Sequence, residues 1–428
     1  MPALFKIICV FGLILALNRL RIRLSLCLLA GSILLGFWMK LAPARLVESV
    51  FYSLGSLQTI SLILIVGSIL IASRLMKESG HLDRIVASFG RLSRDDRTTG
   101  SVMPALIGLL PMPGGALFSA PMVETAFSEH SMTGEERTAV NYWFRHIWEY
   151  WWPLYPGVVL AVALLEVDTW RFMAVMAPMT LVTVLSGIIF ILKPLGKKSS
   201  HMKQDFSWLD IKAFLWEIMP ILVVVIVIVA MGGLTGLLAL MGIKIGVPGT
   251  FSILPGLAAS ILWVCIANRV SFGELCKAFW NRDIPPMLLL IVAIMIFKGV
   301  ITDSGAVLLI REELVAYRIP VILIILIMPF LSGFVTGVAF GFVGASFPII
   351  IPLFQSSGTF DYLSYAALAY SFGYMGMMLS PIHLCFLVTK DYFRASLLGS
   401  YRYLLMPALT VMTAALAIFL TTRLFKFM

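Results

Sequence analysis

The chain has 428 residues, of which 60% are hydrophobic and only 13% charged, and a net charge of +10. So much apolar surface cannot be clothed as a soluble fold, and the many charge-free windows of about 18–22 residues fit membrane spans. The basic excess does not point to nucleic acid, because Lys and Arg of membrane proteins gather in cytoplasmic loops, and the five scattered cysteines (Cys9, Cys27, Cys265, Cys276, Cys385) support neither a disulfide framework nor a zinc site.

In chain order, the first apolar segment, 3–18, has no long basic leader and no convincing cleavage site, and Arg19, Arg21 and Arg23 follow it. It reads as a retained helix with its N-terminus outside. Spans at 24–40 and 56–73 come next. Residues 78–94 then mix charges with apolar residues at helical spacing, as an interfacial amphipathic arm does. The stretch 101–123 is cut by Pro111, Pro113, Gly114 and Gly115, which a straight helix tolerates poorly, so a re-entrant hairpin is expected. Spans at 142–165 and 170–192 complete a first unit, 1–195, and a Lys-rich cytoplasmic linker, 196–212, leads to a second, 213–428. There the order recurs, with spans at 216–241, 247–268 and 285–302, an arm at 306–317, a hairpin at 320–353 and spans at 362–388 and 403–422. The expectation is an all-α protein of a cell's inner membrane, with about ten transmembrane helices, two re-entrant hairpins and both termini outside. That count places most of the 32 Lys and Arg on the cytoplasmic side.

The two units share a pattern. MPxLxG occurs at Met103–Gly108 and again at Met328–Gly333, 225 residues later, and Ser79-Gly80 matches Ser304-Gly305 at the same offset. Gly115 matches Gly341, Pro121 matches Pro348, and Tyr142, Phe144 and Pro153 match Tyr370, Phe372 and Pro381 at an offset of 228. An odd number of crossings separates the third span from the eighth, so the units are expected to be inverted repeats, with one hairpin dipping from each side. Halves related in this way meet at a midplane site built from broken helices.

The hairpin tips and span breaks are therefore the candidate substrate site. Pro111, Met112, Pro113, Gly114 and Gly115 at one tip, and Thr336 and Gly337 at the other, expose backbone amides that suit an anion beside a half-helix N-terminus. Ser119, Thr336 and Ser346 add hydroxyls. Prolines at 153 and 381 break their spans and free backbone groups near Tyr155, Ser380 and His383. The same small residues are read alternatively as helix-packing devices. Ionisable groups at membrane depth are functional candidates by default, and His146, Glu149 and Asp303 are placed to carry a coupling proton or ion. Lys298 is read as snorkelling or pairing with Asp303, and Glu124 as a rim charge or gate. Arg145 and Glu149, four apart, can equally form an interfacial salt bridge, with Trp148, Trp151 and Trp152 as a membrane-interface belt.

With this layout the chain resembles the ion-transporter superfamily of prokaryotic carriers, which includes gluconate permeases, divalent anion/sodium symporters and arsenite carriers. LLPMPGGALFSAP at 109–121 and RHIWEYWWPLYPG at 145–157 are most similar to a domain-of-unknown-function family of integral membrane proteins within it, and Pro111-Met112-Pro113-Gly114 to the Pro-x-Pro-Gly tip of gluconate permeases. The resemblance implies an elevator-type secondary transporter working as a homodimer. The Ser-Asn-Thr signature of the symporters is missing, with Val335-Thr336-Gly337 in the second hairpin.

The expected function is secondary active transport of a small anion, an organic carboxylate, coupled to H+ or Na+. The alternative is a cation/proton antiporter; an intramembrane enzyme or scaffold fits paired hairpins less well. No Walker A loop, GxGxxG turn, HExxH or GxSxG motif occurs, so no enzyme activity and no cofactor beyond a bound Na+ are expected.

Overall fold

The structure, a computed structural model, describes residues 2–92, 95–112, 114–195, 207–242, 249–280, 282, 284–355 and 358–424. Pro113 and most of the 196–212 linker lie outside the described residues. The first half contains α1 (Ala3–Arg19), α2 (Leu24–Trp38), α3 (Pro43–Gly55), α4 (Leu57–Glu78), α5 (His81–Gly90), α6 (Asp96–Ile107), α7 (Ala116–Ala126), α8 (Gly134–Arg145), α9 (Pro156–Leu165) and α10 (Thr169–Gly187). The second contains α11 (Trp208–Leu240), α12 (Ile253–Ala267), α13 (Phe272–Phe279), α14 (Ile284–Asp303), α15 (Ala306–Ala316), α16 (Val321–Thr336), α17 (Ala339–Phe354), α18 (Thr359–Met378), α19 (Leu384–Tyr392) and α20 (Leu397–Leu424). No strand occurs among the described residues.

The chain is a multi-pass membrane protein. Among the described residues, six helical segments are long and apolar enough to cross a membrane: α4, α10 with its π and 3-10 extension to Leu195, α11, α12 with the turn before it, α14 and α20. Of the other expected spans, α1 and α2 are shorter, at 17 and 15 residues, while 142–165 and 362–388 are each split into two helices. The stretches 101–123 and 320–353 are helix–break–helix units, α6–α7 and α16–α17. The arms at 78–94 and 306–317 appear as α5 and α15. Two helices, α3 and α13, lie outside the expected elements; Pro43 at the first turn starts one, and a Ser271–Glu274 capping box starts the other.

Burial sorts these helices into layers. Every residue of α9 is buried and α17 is nearly so, and the two pack on each other at the centre. α6 lies on α7 and α8, and α16 lies on α17 and α18. At the periphery α11, 33 residues and hence about 50 Å long, exposes Ile226, Val229, Leu234 and Leu237, as a lipid-facing helix does.

Matched sequence positions have matched local geometry. Gly80 and Gly305 are both left-handed (φ 66° and 65°) and turn the chain from α4 into α5 and from α14 into α15. A Cβ on Gly108 would sit 2.0 Å from the Arg145 carbonyl oxygen, and one on Gly333 would sit 2.2 Å from that of Gly373. The last glycine of each MPxLxG copy thus admits the backbone of α8 or α18, at positions themselves 228 residues apart. One turn earlier, Ala105 and Phe330 carbonyls face matched positions too: Trp148 Nε1 donates to the former at 3.0 Å, and a Cβ on Gly376 would lie 2.1 Å from the latter.

Candidate functional site

The first tip is built around an arginine. α6 stops at Ile107, and the chain passes irregularly through Pro111 and Met112 to a left-handed Gly114 (φ 69°) before α7 begins. Arg145, the last residue of α8, is only 3% exposed and lies against this tip. Its Nη2 donates to the Met112 carbonyl at 3.3 Å, and a Cβ on Gly115 would fall 2.4 Å from the same nitrogen. Arg145 Nε and Nη1 are buried without a hydrogen-bond partner; Cys385 and Tyr155 are its electrostatic neighbours, and a thiol sulfur is a weak acceptor. A guanidinium with idle buried donors is costly, by several kcal/mol unless a counter-charge meets it. Beneath the tip, Pro111 and Met112 line a cavity of about 530 Å³ together with Arg74, Lys77 and Arg282, against which only Glu78 sets a negative charge.

The expected Arg145–Glu149 salt bridge is not formed. α8 ends at Arg145, so the helical register that would place residues four apart on one face does not continue to Glu149. The Glu149 carboxylate instead lies 3.8 Å from His146 Nε2.

Between α8 and α9, residues 146–155 are non-helical, and aromatic side chains satisfy their backbone. Tyr374 Oη donates to the His146 carbonyl at 2.5 Å and Tyr370 Oη to that of Glu149 at 2.9 Å. In return, Tyr142 Oη donates to the Met378 carbonyl, in the second break, at 2.9 Å. Tyr142 and Tyr370 are partners at the 228 offset, and each donates into the break of the other half. The three tryptophans of this stretch hydrogen-bond to neighbouring elements. Trp152 is buried and its Nε1 donates to the Leu109 carbonyl at 2.9 Å, Trp151 donates to Thr180 Oγ1 at 2.9 Å, and Trp148 reaches Ala105 as above, so the indoles tie the break to α6 and α10. Tyr155 Oη also donates to the Gly108 carbonyl.

The second tip seats on the second break. Gly337 is left-handed (φ 66°) and ends α16, and a Cβ there would lie 3.1 Å from His383 N, Ile382 Cγ1 and Ser380 Oγ alike. Pro381 sits inside this break and Pro153 inside the first. The rings of His146 and His383 stand 5.0 Å apart, with Tyr142 against both.

Other expected site residues fare differently. The Ser119, Thr336 and Ser346 hydroxyls donate to carbonyls of their own helices, at Ala116, Ser332 and Phe342, so only their lone pairs remain. Asp303 is exposed and lines a separate cavity of about 570 Å³ with Gln58, Glu166 and Lys298. Lys298 pairs with Glu166 at 2.7 Å and Gln58 at 3.0 Å rather than with Asp303, because a five-residue step along α14 separates the two by about 140°. Glu124 is an exposed rim charge that accepts from Tyr392 Oη at 2.7 Å. Residues that sequence reasoning left outside the site are Arg145, Cys385, Tyr142, Tyr370 and Tyr374; the Tyr142/Tyr370 match was the available signal.

Comparison with known proteins places the chain in a family: residues 1–422 match the one described as "protein of unknown function (DUF401)", and the chain belongs to it. No curated protein matches. Among solved structures, the Alcanivorax borkumensis YdaH transporter is similar at 14% identity, over 87% of this chain and 86% of that one, with a TM-score of 0.45.

Proposed function

We propose that this DUF401 protein is a secondary active transporter of a small anion, an organic carboxylate, coupled to H+ or Na+. The observation that carries the reading is Arg145, a buried guanidinium held against a helix–break–helix tip with two of its nitrogens, Nε and Nη1, unspent. Charge-assisted bonds from such a group to a carboxylate are among the strongest a protein makes. The cavity under the tip supports the same sign of charge, since Arg74, Lys77 and Arg282 would concentrate anions at its mouth. His146, Glu149 and His383 adjoin the guanidinium and are the proton or ion carriers in this scheme.

In the same proposal 1–195 and 213–428 are inverted repeats joined by 196–212, α6–α7 and α16–α17 are re-entrant hairpins, and both termini lie outside an inner membrane. The reciprocal Tyr142 and Tyr370 bonds and the matched Gly108 and Gly333 contacts support the repeat. An elevator motion would then carry the hairpins and broken helices against a scaffold made largely of α1, α2, α11 and α12, in a homodimer. Uptake into proteoliposomes tests the function. A labelled carboxylate should accumulate under a pH or sodium gradient, stop when the gradient collapses, and fail with Arg145→Met. Cation-driven proton movement with no organic solute would overturn the reading in favour of an antiporter.

A further inference from the structure

His146 from the first break, His383 from the second and Cys385 from the first turn of α19 offer ligand atoms that all lie within 4.8 Å of one another. They are remote in sequence, which is why cysteine spacing does not reveal them. Both imidazoles are buried, at 1% and 6% exposure, and the nitrogens of His146 are already told apart. His146 Nδ1 is 2.6 Å from the Tyr142 carbonyl, which can only accept, so Nδ1 carries the proton and Nε2 keeps its lone pair. The Met377 carbonyl sits beside the His383 ring, while His383 Nδ1 is buried with no hydrogen-bond partner. An imidazole fixed through one nitrogen by a backbone carbonyl, with the other bare, is how metal-ligating histidines are held.

We infer that His146, His383 and Cys385 form a binding site for a borderline-soft divalent transition metal of the Zn2+ class. Two imidazoles and a thiolate suit that ion better than Mg2+ or Ca2+, which take oxygen ligands. Bonds of about 2.0–2.3 Å put tetrahedral ligand atoms about 3.3–3.8 Å apart, so the three side chains close in by about 1 Å on binding. Glu149, whose carboxylate is 3.8 Å from His146 Nε2, is in reach of the fourth position. With it, thiolate and carboxylate balance the dication, and the adjoining Arg145 faces a neutral centre. The bound ion joins the two breaks, which otherwise meet through the Tyr142, Tyr370 and Tyr374 hydrogen bonds, and so arrests any motion of one against the other. This site stands whether or not Arg145 binds an anion.

Co2+ titration of the purified full-length protein tests it, using a variant in which Cys9, Cys27, Cys265 and Cys276 are serine and Cys385 remains. Binding of about one equivalent per chain is expected, with a thiolate-to-cobalt charge-transfer band, visible bands of tetrahedral intensity, and displacement by Zn2+. Cys385→Ser should abolish the charge-transfer band, and it, His146→Gln and His383→Gln should each weaken Co2+ binding by about 100-fold or more. The inference is overturned if wild-type protein binds Co2+ without the band, or binds none, observations that need no variant to fold. It is equally overturned if monodisperse Cys385→Ser binds within about twofold of its parent. Metal binding is read without transport, so a failed uptake assay leaves this result intact.

Discussion

Gly115→Ala asks whether Arg145 must lie where it does. The new methyl carbon would fall 2.4 Å from Nη2 and 2.9 Å from Cζ and Nη1 of that side chain. Non-bonded heavy atoms settle at about 3.5 Å, so the guanidinium must retreat by about 1 Å and give up its 3.3 Å bond to the Met112 carbonyl. The backbone angle has no quarrel with alanine, because Gly115 has φ −56°, and as the N-cap of α7 the position costs alanine no more than about 1 kcal/mol. Displacing a positioning group by that distance costs on the order of 100-fold. Uptake at limiting substrate in proteoliposomes should therefore fall by about 30- to 100-fold, while the protein stays folded with a thermal midpoint in detergent lowered by no more than the N-cap cost. Two neighbours calibrate the result. A Cβ on Gly114 meets nothing within 4 Å, so Gly114→Ala costs only its left-handed backbone, about 1–2 kcal/mol, and lowers the midpoint without the same loss of uptake. Gly108→Ala strikes the Arg145 carbonyl at 2.0 Å, a backbone atom that cannot swing away, and should prevent correct assembly of α6 on α8. A folded Gly115→Ala protein transporting at the wild-type rate would refute the assignment of substrate contact to this guanidinium.

Other perturbations follow from the same geometry. Arg145→Met removes a buried charge that has no salt bridge among the described residues and two nitrogens without hydrogen-bond partners, and should raise the thermal midpoint while abolishing uptake; a lowered midpoint would mean the guanidinium is ion-paired in the resting protein. Tyr142→Phe and Tyr370→Phe each leave a buried carbonyl without its donor, at about 1–3 kcal/mol, and because both tie the same two breaks the double variant should depart from additivity by more than about 0.5 kcal/mol in unfolding measurements. Lys298→Met breaks a pair whose Glu166 side chain is 63% exposed, so stability should change by about 0–1 kcal/mol and uptake should not change. Hydrogen bonds from Ser396 N and Oγ, both 3.0 Å, hold the Glu135 carboxyl below the usual carboxylate range. That tie stabilises the fold above the unfolded carboxylate pKa of about 4.3 and is lost as pH falls through the lower folded value, so Ser396→Ala, which removes the hydroxyl bond but leaves the larger backbone N–H bond, should flatten the acid-side decline of the thermal midpoint only in part.

Punctuation by proline and glycine made much of the layout readable. Gly337 ends α16 in a left-handed turn at a residue the sequence marks, and Gly80 and Gly305, matched in sequence at the 225 offset, both turn the chain in left-handed geometry. Arg145 was harder to read. Its distance from Glu149 is the helical salt-bridge spacing, and the stretch between Arg145 and Pro153 contains no glycine or proline to announce that α8 has ended. Tertiary contacts act together with Pro153: Tyr374 takes the His146 carbonyl that the Tyr150 amide would otherwise claim, Tyr370 takes the Glu149 carbonyl that Pro153 leaves without a donor, and the Trp148 and Trp152 indoles are drawn onto carbonyls in and just beyond α6. The His146–His383–Cys385 cluster is invisible for the same reason, since it exists only where two breaks from opposite halves are held together.

In the proposed repeat the two units share a frame and differ in their chemistry. At the 228 offset Arg145 corresponds to Gly373, His146 to Tyr374 and Glu149 to Met377, while His383 and Cys385 correspond to Tyr155 and Gly157. Backbone contacts are conserved between the halves, because Gly108 and Gly333 need the same close approach whatever side chain lies opposite. Charge is not conserved: the guanidinium and carboxylate belong to the first half alone, and the thiol to the second. Tyr374 shows how the exchange works, since its hydroxyl bonds the carbonyl of His146, its own counterpart. Each half therefore supplies one set of reactive groups and the scaffolding for the other. The proposed repeat so filled holds one guanidinium rather than two at these matched positions, so the proposed mechanism binds one anion per chain, at the end of α8.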